Sequence, residues 1–89
     1  MKIFTPNSSM IKDVRWVSDS DNNNNGTMYV QFSNSNVYRY GNVSLSRFLA
    51  FQNADSAGTY FDKRIKNSYV STRLPNGFPK AAQLQAVSA

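Results

Sequence analysis

Arginine, lysine and tyrosine are the side chains through which this chain has most chemical reach. Tyr38-Arg39-Tyr40 puts two phenol rings on one side of an extended segment and a guanidinium on the other, because successive strand side chains point to opposite faces. Asp62-Lys63-Arg64-Ile65-Lys66 is the densest cationic run, with Arg47 before it and Arg73 after it. A guanidinium grips phosphate with two parallel N–H donors, an ammonium acts on it as a point charge, and a phenol ring stacks on a nucleobase. Together they suit a ligand that carries both phosphate and an aromatic base. Each run also has an ordinary reading. The tyrosines can pack beneath helices as core, with their hydroxyls hydrogen-bonded at the edge, and a short basic run on a helix is often no more than a solvated face.

Other chemistries are closed. The 89 residues include no cysteine and no histidine, which removes disulfides, thiolate nucleophiles, Cys/His zinc sites and imidazole bases. Asp19-Ser20-Asp21-Asn22-Asn23 is similar to the start of a calcium-binding loop, but Asn24 falls where that loop needs glycine and Val30 where it needs glutamate. An aspartate pair such as Asp55 and Asp62 has nothing in the sequence to tune it for acid–base work. The expectation is a non-catalytic protein with no metal and no cofactor.

The formal net charge of +5 is unevenly spread. Through Gly26 the cations Lys2, Lys12 and Arg15 balance Asp13, Asp19 and Asp21, so the excess belongs to the part from Thr27 onward. Such a field concentrates phosphate-bearing partners without specifying them. No apolar run approaches the ~20 residues that cross a bilayer, and Met1 to Pro6 lacks the apolar stretch of a secretory signal. A cytoplasmic location without membrane contact is expected.

A chain this short makes one domain with a small core. Residues 1–9 read as a flexible arm. Met10 to Val17 alternates as a strand, with Met10, Val14 and Trp16 on one face and Ile11 and Val17 on the other; Thr27 to Phe32 and Val37 to Tyr40 supply two more, the last ended by Gly41. From Val43 the period changes. Leu45, Phe48, Leu49 and Gln52 fall at helical spacing, which predicts a helix from Ser44 to about Asn53 with Asn42 or Ser44 at its start. A second short helix carries Tyr60, Phe61, Arg64 and Ile65, turning Phe61 and Ile65 inward and Lys63 and Lys66 outward. The prediction is an α+β fold, a three-stranded antiparallel meander followed by two short helices (β-β-β-α-α), over 10–74, with 75–89 as a C-terminal tail.

Several of these residues form a family pattern: Met10-Ile11, Val14 and Trp16; Met28, Val30 and Phe32; Val37-Tyr38-Arg39-Tyr40; Val43-Ser44; Ser56, Gly58 and Tyr60-Phe61; Ile65; Tyr69; and Arg73-Leu74. In these the chain resembles the KTSC domain, named after the C-terminal extension of some lysyl-tRNA synthetases and also found as free-standing bacterial and phage proteins. The resemblance implies a β-β-β-α-α unit and nucleic-acid binding. The chain departs from the pattern at Ser44, where proline is common, and at Asp62, where asparagine is common. A carboxylate at position 62 repels a phosphate unless it pairs with a cation such as Lys66 or lies off the site.

The reading of the residues is a binding module for an anionic nucleotide or nucleic acid. Arg39, Arg47, Lys63, Arg64, Lys66 and Arg73 supply charge, and Tyr38 or Tyr40 stacks. The favoured form is a free-standing, sponge-like homo-oligomer that sequesters a small nucleotide signal, as a phage protein evading immunity would. An RNA- or DNA-binding module is the alternative, and a protein inhibitor or adaptor is the third. The modest charge and the lack of a sustained basic stripe argue against a polymer.

Overall fold

A computed structural model of the chain describes residues 1–83. Strands β1 (Lys2–Phe4), β2 (Ile11–Ser18), β3 (Asn25–Phe32) and β4 (Val37–Ser44) precede helices α1 (Leu45–Gln52) and α2 (Ala57–Tyr60), and β5 (Ser71–Leu74) follows them. The strands form one antiparallel sheet in the order β1-β2-β3-β4-β5. The class is α+β with two helices, as the sequence predicts, but the sheet has five strands and not three. Both additions are edges too short to show a period. β1 lies in the segment expected to be a loose arm, and is held by pairing with β2 and by Phe4, whose ring meets Phe48 and Phe51 edge-on at 5.5 and 5.3 Å. β5 is largely exposed and owes its conformation to β4.

Two bulges decide which side chains reach the core. In β2 the register shifts between Ile11 and Asp13, which returns Ile11 to the face of Val14 and Trp16 instead of the opposite one. In β4 the residues between Tyr40 and Val43 outnumber those between their partners Met28 and Gly26, so Tyr40 and Val43 share the buried face. Gly41 therefore does not end the strand. Asn42 takes the left-handed conformation there (φ 56°), which asparagine tolerates better than most residues. The indole N–H of Trp16 donates to the Val43 carbonyl oxygen at 2.9 Å within the core, pairing two polar groups whose burial alone would be costly.

Ser44 starts α1, its Oγ accepting from the Arg47 backbone N–H at 3.1 Å. The helix buries Phe48 and Phe51, whereas Leu49 is exposed. Ser56 caps α2 in the same manner through the Thr59 N–H. The helix then widens into a π-helical turn over Phe61–Ile65, closed by the Lys66 N–H on the Phe61 carbonyl at 2.9 Å, and turns Phe61 and Ile65 inward as predicted.

The sheet is covered on both faces. Opposite the helices, Tyr29 and Val37 pack under Phe78 and Ala82, with Val17 and Leu74 beside them. Residues 75–83, part of the predicted tail, thus close a second small core, with Lys80–Ala82 in one 3-10 turn. The rest of that tail, 84–89, lies outside the described residues. Among the described residues no helix is long and apolar enough to cross a membrane.

Candidate functional site

Strand β4 and the π-helical turn bring Tyr38-Arg39-Tyr40 against Tyr60-Phe61. Tyr40 and Phe61 meet edge-on at 5.9 Å, Phe61 meets Phe32 at 5.2 Å, and Phe32 meets Tyr38 at 5.7 Å. Above these four rings opens a cleft of about 490 Å³, within the size range of sites that take a small molecule. Its rim is polar: Asn34 and Asn36 come from the β3–β4 connection, Asp62, Lys66 and Asn67 from the π-helical turn and the residues just beyond it, and Ser71 from β5.

The tyrosines divide between the two readings left open by the sequence. Tyr40 is core, 4 % exposed, and lies in the cleft floor. Burial, with Tyr38 as a second cause, pushes its phenol up to about 12, because the anion loses hydration that the neutral form does not need. Tyr38 is only partly buried and is the ring with surface available for stacking.

The six candidate cations occupy different places. Lys66 lines the cleft. Arg73 stands opposite Tyr38 across the β4–β5 pair and so shares its face. Arg39 pairs with Tyr29 and Thr72 and projects from the reverse side of the sheet, as its alternation with the tyrosines requires. Lys63 and Arg64 line a separate hollow of about 260 Å³ beside Tyr60. The Arg47 guanidinium donates to the Tyr60 hydroxyl at 2.9 Å. Its hydrogen bonding to the phenol oxygens, Tyr60 first and then Tyr69, holds its pKa above the ordinary arginine value. The six cations therefore do not converge on one site: Lys66 alone lines the cleft, Lys63, Arg64 and Arg47 lie about Tyr60, and Arg39 lies on the reverse face.

Asp62 is exposed and lines the cleft together with Lys66, but the two are not within ion-pair distance. Among the described residues the one salt bridge joins Arg15 to Asp13 at 2.9 Å. The cleft thus presents one carboxylate and one ammonium over an aromatic floor. Asp62 and Met10 also border an adjoining polar hollow of about 390 Å³, lined by Ser8, Ser56, Gly58 and Thr59. Sequence reasoning misses Asn34, Asn36 and Asn67. Asparagine is abundant in the loops of this chain, and nothing in its spacing marks the three that line the cleft.

A family model described as KTSC domain matches residues 7–69. The crystal structure of the KTSC domain protein YPO2434 from Yersinia pestis is similar, with a TM-score of 0.66 and 26 % sequence identity, over 82 % of this chain and 96 % of that one. No curated protein matches the chain.

Proposed function

The chain belongs to the KTSC domain family, and we propose that it is a non-catalytic module that binds and sequesters a small phosphate-bearing nucleotide in the cleft above Tyr40. Tyr38 stacks on the base, the amides of Asn34, Asn36 and Asn67 offer donors and acceptors to its edge, and Lys66 faces the phosphate. Asp62 then accepts from a base N–H, which removes the difficulty that a carboxylate poses to a purely phosphate-binding site. The observation that carries this reading is that Tyr38 and Lys66 border the same small-molecule-sized cleft. The separation of Lys66 from Arg39 on the reverse face and from Arg47, Lys63 and Arg64 about Tyr60 favours a compact ligand over a polymer, whose backbone calls for a continuous basic track.

The test is a calorimetric titration of the full chain with adenosine and guanosine monophosphates, cyclic mononucleotides, cyclic dinucleotides and a single-stranded oligonucleotide, at two salt concentrations. The proposal expects a nucleotide to bind with shallow salt dependence and to bind less well to Tyr38→Ala and Lys66→Ala. Tight oligonucleotide binding with a steep salt slope establishes the polymer alternative instead. Absence of any binding rejects both.

A further inference from the structure

Away from the cleft, the part-exposed Arg47 reaches from α1 to Tyr60 on α2. Its neighbours are unusual for an arginine so held, because the group that bonds its guanidinium is a phenol and not a carboxylate. Among the described residues no acid lies within ion-pair distance of it. A guanidinium has five N–H donors, and the bond to Tyr60 leaves others unspent. Tyr60 accepts from Arg47, so its own hydroxyl proton is free to donate. Its ring is fixed by stacking on Phe51 at 5.6 Å. Lys63 and Arg64 line an adjoining hollow together with Tyr60, where Asp55 is the one acid.

From this arrangement we infer that Arg47, Tyr60, Lys63 and Arg64 form a second anion site, specific for a phosphoryl group and separate from the cleft. Three cations placed about one tyrosine, Arg47 at its hydroxyl and Lys63 and Arg64 in the hollow it lines, with Asp55 the one carboxylate of that hollow, repel one another, and a bound dianion relieves that repulsion. The phenol's donated hydrogen bond is strengthened because its oxygen already accepts from a cation. The guanidinium supplies the planar fork that phosphate oxygens match. The source of the phosphoryl group is either a free phosphorylated small molecule or the backbone of a nucleic acid.

The test is nuclear magnetic resonance of the full isotope-labelled chain titrated with inorganic phosphate, with ionic strength held constant by chloride. The expected result is a saturable shift of the Arg47 side-chain N–H and of the Tyr60 and Arg64 amides, with the Tyr38 and Lys66 amides unmoved. Arg47→Gln should abolish saturation. Tyr60→Phe keeps the ring stacked on Phe51, preserves the fold and should weaken phosphate binding about tenfold, as loss of one hydrogen bond to a charged group does, so the test survives if the arginine variant unfolds. Shifts no larger than those with chloride, shifts of similar size at every lysine and arginine, or unchanged binding by Tyr60→Phe would overturn the site. A short oligonucleotide that moves the same signals with steep salt dependence identifies a backbone phosphate; phosphate alone doing so identifies a free one. Because the cleft is read through Tyr38 and Lys66, failure of nucleotide binding there leaves this result interpretable.

Discussion

The Arg15 guanidinium lies 3.9 Å from the centroid of the Phe78 ring while its Nη1 donates to the Ala82 carbonyl oxygen at 2.7 Å and its other side holds Asp13. One arginine on β2 thereby fastens residues 78–82 over the back of the sheet. It also withdraws a cation from ligand binding. Arg15→Ala is expected to lower stability by about 1–3 kcal/mol, the range for losing a desolvated cation–π contact together with a charged hydrogen bond. Hydrogen exchange should show Ala82 and Gln83 losing protection before the strands do. Unchanged protection of both amides counts against the fastening role.

In the cleft, Tyr38→Ala is expected to weaken nucleotide binding by ~1–3 kcal/mol, the range for one base stacked on an aromatic side chain. Lys66→Ala should cost about 1.5–3 kcal/mol if the ammonium meets phosphate directly. Arg39→Ala on the reverse face should leave the affinity unchanged. Calorimetry of the three variants checks the assignment, and an Arg39 effect as large as that of Lys66 would place the ligand elsewhere.

Tyr40 makes stability depend on pH at the alkaline end. Below its ordinary value of 10.0 the phenol is neutral whether the chain is folded or not, and its packing contributes fully. Between pH 10.0 and about 12 the unfolded chain releases the proton while the folded chain retains it, so folding loses stability as pH rises through this window. Lys66, Asp62 and the phenol of Tyr38 border the same cleft, so the measurement is the difference between wild type and Tyr40→Phe in urea unfolding at pH 9 and 11.5. The variant should lose less stability between the two.

Gly26 and Gly41 sit on neighbouring strands and should respond oppositely to alanine. A Cβ on Gly26 would drive into the Val17 carbonyl oxygen and lie 2.9 Å from both the Ser18 Cα and the Trp16 ring, whereas one on Gly41 meets nothing within 4 Å. Gly26→Ala is expected to cost at least ~3 kcal/mol, the upper end of overpacking, because backbone must move. Gly41→Ala should be neutral or stabilising by up to ~1 kcal/mol through the unfolded state. Thermal unfolding of the pair gives the comparison, and similar midpoints would contradict the close approach at Gly26.

Periodicity by itself determined the three long strands, the two helices, the inward Phe61 and Ile65, and the separation of Arg39 from its flanking tyrosines. These features are local: each follows from a 2- or 3.6-residue repeat that a single segment carries. The family was legible for a related reason, since its pattern is a succession of such segments. What only the tertiary structure decided depends on residues distant in the chain. The two bulges moved Ile11 and Val43 onto the buried face, and β1 and β5 exist because β2 and β4 offer them hydrogen bonds. Phe78 and Ala82 became core by lying across a sheet begun near the opposite end of the chain. Charge shows no such period. An exposed lysine or arginine satisfies its hydration on any side of the molecule, so the division of Lys66 from Arg47, Lys63 and Arg64 emerged only when the helices were set against the sheet.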